Sequence, residues 1–173
     1  MAKSDIKKRL SKEYLQAIGR IAAEYAMVER VLIQGISYIA FEYPWHANVF
    51  TSQHNTIYSL LKIFDSLLVS SKKNEATMKK FIKIRKEIDE ITQKRNKIVH
   101  GHWIGYAGKS WAVGIINYRV GKRLTLKIEP YTPQELDAIA DEIARVYEKL
   151  DNFVKTYVLS MSSLKKRRWK PVM

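Results

Sequence analysis

The sequence predicts a mainly α-helical fold, a four-helix bundle with a small antiparallel β-hairpin or meander inserted before the last helix. Three observations carry that expectation. Apolar residues recur at three- and four-residue steps through three segments before residue 101. From Trp103 the period drops to two, and at Thr132 a strong helix start restores the helical period.

The first helix is expected from about Ser11 to Ala40, with Leu15, Ile18, Ala22, Tyr25, Val28, Leu32, Gly35/Ile36 and Ile39 on its buried stripe. Pro44 in Phe41-Glu42-Tyr43-Pro44-Trp45 breaks it, because proline removes a helical donor. A second helix is expected from near Ser52 to Ser70, with Ile57, Leu60, Leu61, Phe64, Leu67 and Leu68 facing inward. After the polar loop Ser70-Ser71-Lys72-Lys73-Asn74, a third helix runs from Glu75 to His100 on Phe81, Ile84, Ile88, Ile91 and Ile98. Gly101 is placed to end it as a C′ residue.

Trp111, Val113 and Ile115 then alternate, as do Leu124, Leu126 and Ile128. Turn material lies at Ala107-Gly108-Lys109 and Val120-Gly121-Lys122, and Glu129-Pro130 is expected to close the insertion of about 103–128. Thr132-Pro133-Gln134-Glu135 combines an N-cap threonine, proline at the first helical position and a capping-box glutamate. The last helix carries Leu136, Ile139, Ile143, Val146/Tyr147, Leu150, Phe153/Val154 and Tyr157 to about Ser160, with a basic tail over about 161–173. Neither a repeat nor a second core is evident, so residues 1–173 read as one domain.

The chain carries 31 Lys+Arg against 17 Asp+Glu, a net charge of +14. Residues 1–12 hold +4, residues 79–97 hold +5 and residues 165–173 hold +5, so the remainder is balanced. Clustered positive charge points to a polyanion, RNA or DNA before membrane, although basic ends are equally often solubilising tails. Zero cysteines exclude a disulfide framework, a thiol nucleophile and cysteine-ligated metal. No apolar run follows Met1-Ala2-Lys3-Ser4-Asp5, and the longest apolar stretch, Val31 to Phe41, is too short for a bilayer. A cytoplasmic protein with no membrane partner is expected.

In the third helix the apolar series skips position 95, which holds an arginine. A permanent charge in a packed stripe is costly unless it is paired or faces an anion. Asn96 follows directly, and His100 ends the helix in His100-Gly101-His102. At 100° per residue, Arg95 and His100 lie about 140° apart, so one protomer is expected to converge them poorly.

Arg95-Asn96-Lys97-Ile98-Val99-His100 resembles the signature of the HEPN (higher eukaryotes and prokaryotes nucleotide-binding) superfamily: an arginine, a polar residue, a spacer and a histidine. The layout is also similar, with a long first helix bearing Glu29, a second helix, a motif helix and a closing helix. The resemblance implies a metal-independent endoribonuclease that uses the 2′-OH of RNA as nucleophile and leaves a 2′,3′-cyclic phosphate and a 5′-hydroxyl. It assigns His100 to acid–base work, Arg95 to the phosphate, and Asn96 to orienting His100 or donating a hydrogen bond to the phosphate. It further implies a homodimer through the motif helix, no cofactor, and a role as toxin or defence effector with an antitoxin protein among its partners. The alternative is a non-catalytic HEPN dimer that binds nucleic acid or nucleotide, or serves as a protein-interaction module.

Around the motif, Glu29 is the expected carboxylate partner of Arg95. Lys79, Lys80, Lys83, Arg85 and Lys86 lie off the apolar stripe, and Lys97, His102 and Trp103 flank the motif, all as candidate RNA contacts. The plainer readings are a solvated helix face for the lysines, a dipole-favoured helix end for His100 and a loop residue for His102. Trp103, Tyr106, Trp111 and Tyr118 either stack on bases or fill the space between hairpin and helices.

Overall fold

The computed structural model describes residues 10–40, 56–71, 74–106, 110–117 and 125–159. Most of the two basic ends, the break at Pro44 and the two expected turn segments lie outside the described residues. In chain order the elements are α1 (Lys12–Ala40), α2 (Ile57–Ser70), α3 (Glu75–His100), β1 (His102–Tyr106), β2 (Ser110–Asn117), β3 (Thr125–Tyr131) and α4 (Pro133–Val154). A π-helical turn, Lys155–Leu159, prolongs α4. The fold is mainly α, with an antiparallel sheet of order β1-β2-β3 between α3 and α4.

The core is built from the inward stripes of the helices, with Phe64, Phe81 and Phe153 meeting at its centre. The α1 stripe is buried as expected at Tyr25, Val28, Leu32 and Ile36, but its first turns are shifted by one residue. Tyr14, Ala17 and Ile21 are buried there, and Leu15 is 57% exposed. The sheet causes the shift: Tyr14 sits edge-on to Trp103 and donates to the carbonyl of Tyr131 at 2.8 Å, which turns that face of α1 inward.

Three boundaries differ from expectation. α2 starts at Ile57 rather than near Ser52, because the Thr56 hydroxyl caps the amide of Ser59. Gly101 leaves α3 in extended backbone (φ −74°, ψ 156°), feeding the chain straight into β1 instead of through a left-handed C′ turn. β3 runs past Glu129-Pro130 to Tyr131, opposite Trp111. Proline is tolerated there because β3 is an edge strand, where a missing N–H costs no ladder bond. The capping box at Thr132 and Glu135 is present in full.

Ion pairs tie the helices at their margins. Arg20 joins α1 to Asp137 and Asp141 of α4, Arg85 joins α3 to Asp65 of α2, and Lys94 and Lys149 link α3 and α4 through Glu142 and Glu87. No helix among the described residues is long and apolar enough to cross a membrane.

Candidate functional site

The end of α3 is braced before it is functional. Trp103 Nε1 donates to the carbonyl of Ile98 at 3.0 Å, and its ring packs between Tyr14 and Tyr131. Lys97 donates to Glu129 at 2.7 Å, and Tyr131 donates to the same carboxylate oxygen at 3.0 Å. Burial and that acidic neighbour push the Tyr131 hydroxyl up to about 12, so it stays a donor. Lys97 and Trp103 thus fix the last turn of α3 to the sheet.

On that rigid end, Arg95 and His100 meet. Arg95 Nη1 donates to His100 Nε2 at 2.8 Å and to Asn96 Oδ1 at 3.0 Å. The expectation that one protomer separates Arg95 from His100 is therefore overturned. The 140° of arc describes Cα directions, whereas five residues rise only about 7.5 Å and a long arginine side chain spans that by running along the helix. A guanidinium is donor-only, so His100 Nε2 must be the acceptor and its proton sits on Nδ1.

Arg95 rests on α1. Its guanidinium carbon stands 5.1 Å from the centre of the Tyr25 ring, a cation–π arrangement. Tyr25 is buried and bonded to Thr92 Oγ1 at 2.8 Å, and Thr92 in turn donates to the carbonyl of Ile88 at 2.6 Å. Burial pushes the Tyr25 hydroxyl up to about 12, so it too remains neutral. Arg95 Nε is buried and, among the described residues, has no hydrogen-bond partner.

Glu29 is half-buried one turn beyond Tyr25. Burial raises its carboxyl above the usual range, and the positive charge of Arg95 pulls it partly back. Among the described residues the expected Glu29–Arg95 salt bridge is not made, so Glu29 acts on the guanidinium through space. The sequence stripe marks Tyr25 only as core. Its spacing of four from Glu29, on the face turned toward Arg95, is the signal that identifies it as a platform.

The other candidates divide. Lys79 pairs with Glu75, Lys80 donates to Tyr157, and Arg85 pairs with Asp65. Lys83 and Lys86 are exposed and, among the described residues, form no ion pair. His102 is exposed on β1, opposite Gly114, and no hydrogen bond among the described residues joins it to Arg95 or His100. Among the described residues no group of three or more histidine, aspartate or glutamate side chains is gathered to hold a metal ion. Chemically the arrangement offers a guanidinium that, among the described residues, forms no carboxylate salt bridge, an imidazole nitrogen that accepts from it, and an amide oxygen on the same guanidinium nitrogen.

Compared with protein-family models, with curated proteins and with solved structures, the chain has no match in any of the three.

Proposed function

We propose that this chain is a metal-independent endoribonuclease of the HEPN type. The observation that carries the reading is the Arg95–His100 hydrogen bond of 2.8 Å at the exposed end of α3, with Asn96 on the same guanidinium nitrogen. Arg95 has no carboxylate salt bridge among the described residues, and a phosphate would supply the anion it lacks. A guanidinium–phosphate bond is charge-assisted and outcompetes a bond to neutral imidazole. RNA binding would therefore draw Arg95 off His100 and free the Nε2 lone pair. Nε2 then takes the proton of the 2′-OH, the 2′-oxygen bonds to phosphorus, and the P–O5′ bond breaks. The 5′-oxygen leaves as an alcohol once a second acid protonates it, and the 2′,3′-cyclic phosphate remains.

A second copy of α3 across a twofold axis would bring a second His100 as that acid, which is the chemical reason to propose a homodimer. The biological setting of such an activity, as toxin or defence effector held by an antitoxin in the cytoplasm, belongs to the same proposal. A second reading, a non-catalytic HEPN dimer that binds nucleic acid or nucleotide or acts as an interaction module, is favoured by Lys83 and Lys86, which suit anion binding without any acid–base step.

One experiment separates the two. RNA incubated with the wild type in EDTA is cut to cyclic-phosphate ends. His100→Ala lowers the rate by about 10²–10⁴-fold and Arg95→Ala by about 10²–10³-fold. RNA binding without cleavage in any of the three proteins selects the binding module instead.

A further inference from the structure

A groove of about 500 Å³ runs along α1, and Glu29, on which the Arg95 charge acts, is one of its lining residues. Its walls include Glu29, Arg30, Ile33, Gln34, Ser37 and Tyr38. Ligand pockets fall between about 300 and 1,000 Å³, so its size suits a nucleobase with its sugar. Tyr25, which carries the Arg95 guanidinium, and Glu29, which opens the groove, are four residues apart on one helix face. That is about 6 Å along the axis, the scale of one nucleotide.

The chemistry of the lining is specific. Glu29 is half-buried, lines the groove, and has no hydrogen-bond donor on it among the described residues. A carboxylate only accepts, through two oxygens side by side. Guanine is the RNA base whose Watson–Crick edge presents two adjacent donors, N1–H and N2–H. Adenine and cytosine present one amine next to an acceptor, and the uracil N–H is flanked by carbonyls. Tyr38, 40% exposed further along the groove, offers a ring for stacking.

We propose that this groove is a guanine-selective base subsite, in which Glu29 receives N1–H and N2–H, while Tyr38, about 13.5 Å further along the helix, stacks on a neighbouring base. It deepens the ribonuclease reading and rests on it for the choice of RNA as ligand. Arg30 is available to the phosphate on the far side of the nucleotide.

The test is binding of the full chain to short 2′-O-methyl oligonucleotides, which cannot be cleaved, followed by fluorescence anisotropy. In a uridine background a single position is guanosine, inosine or adenosine. The wild type is expected to hold guanosine roughly tenfold tighter than adenosine, as for a bidentate base contact. Inosine, which lacks the N2 amine, falls between them. Glu29→Gln brings guanosine down to adenosine, and Tyr38→Ala weakens the guanosine and adenosine oligonucleotides alike. Equal affinities in the wild type, no binding to any oligonucleotide, or a guanosine preference that survives Glu29→Gln overturns the subsite. The inosine comparison stands on the wild type alone, whatever the variants' folding. Cleavage plays no part in this measurement, so the subsite fails here while the ribonuclease reading fails only in the EDTA assay.

Discussion

Glu29 is the residue at which burial and charge compete most openly. Burial disfavours its ionised form, the Arg95 charge favours it, and burial wins, so the folded-state value lies above the usual 4.5. A raised carboxyl contributes stability that is full below its unfolded value and is lost as pH rises through the folded value. Glu29→Gln, which keeps the shape and removes the ionisation, should therefore melt higher than the wild type at pH 7 and level with it near pH 4. Thermal melts at the two pH values check this; an unchanged gap between them would mean that burial does not dominate. Arg95 and Tyr25 explain why the carboxylate sits there at all, since the ring supports the guanidinium and leaves Glu29 turned to the groove.

At the scale of elements, the two glycines of α1 make opposite predictions. A Cβ on Gly35 would stand 2.5 Å from Cε2 of Phe64, whose ring is fully buried against Phe81 and Phe153. Gly35→Ala therefore overpacks the α1–α2 contact, and the expected loss of about 1–3 kcal/mol exceeds or offsets the helix-propensity gain of about 1 kcal/mol. Gly19 has nothing within 4 Å of its Cβ position, so Gly19→Ala should stabilise by up to about 1 kcal/mol. Urea unfolding of both variants reads the contrast. The period-3.6 stripes of α2, α3 and α4 are legible in the sequence because helix packing repeats along one line of residues. The shift at Tyr14 is not legible, since it depends on Trp103 and Tyr131, which lie about a hundred residues away.

Across the whole molecule the net charge of +14 does not act as a uniform field. Lys79, Arg85, Lys94 and Lys97 are ion-paired and Lys80 is held by the Tyr157 hydroxyl, leaving Lys83 and Lys86 as exposed lysines on α3 with neither kind of partner among the described residues. In single-stranded RNA each neutralised phosphate adds about 0.7 to the slope of log K against log salt. The Lys83→Ala, Lys86→Ala double variant should thus lower that slope by about 1.4, measured by anisotropy from 50 to 200 mM salt. A slope that does not change would remove α3 from the RNA path. Lys97→Ala should instead loosen the brace to Glu129 and lower the melting temperature.

The sequence by itself determined the helical class, the inserted antiparallel strands, the capped start of α4 and the anomaly of an arginine in an apolar series. All of these are short-range: periodicity, turn chemistry and capping are written within a few neighbouring residues. It also marked Arg95, Asn96 and His100 as one motif. Only the tertiary structure decided that Arg95 reaches His100 within a single chain, that Tyr25 carries the guanidinium, that Lys97 and Trp103 brace the sheet, and that Glu29 faces a groove rather than a salt bridge. Those outcomes depend on side-chain length and on partners brought from α1 and β3, and a pattern of spacings along one helix does not encode distances to another.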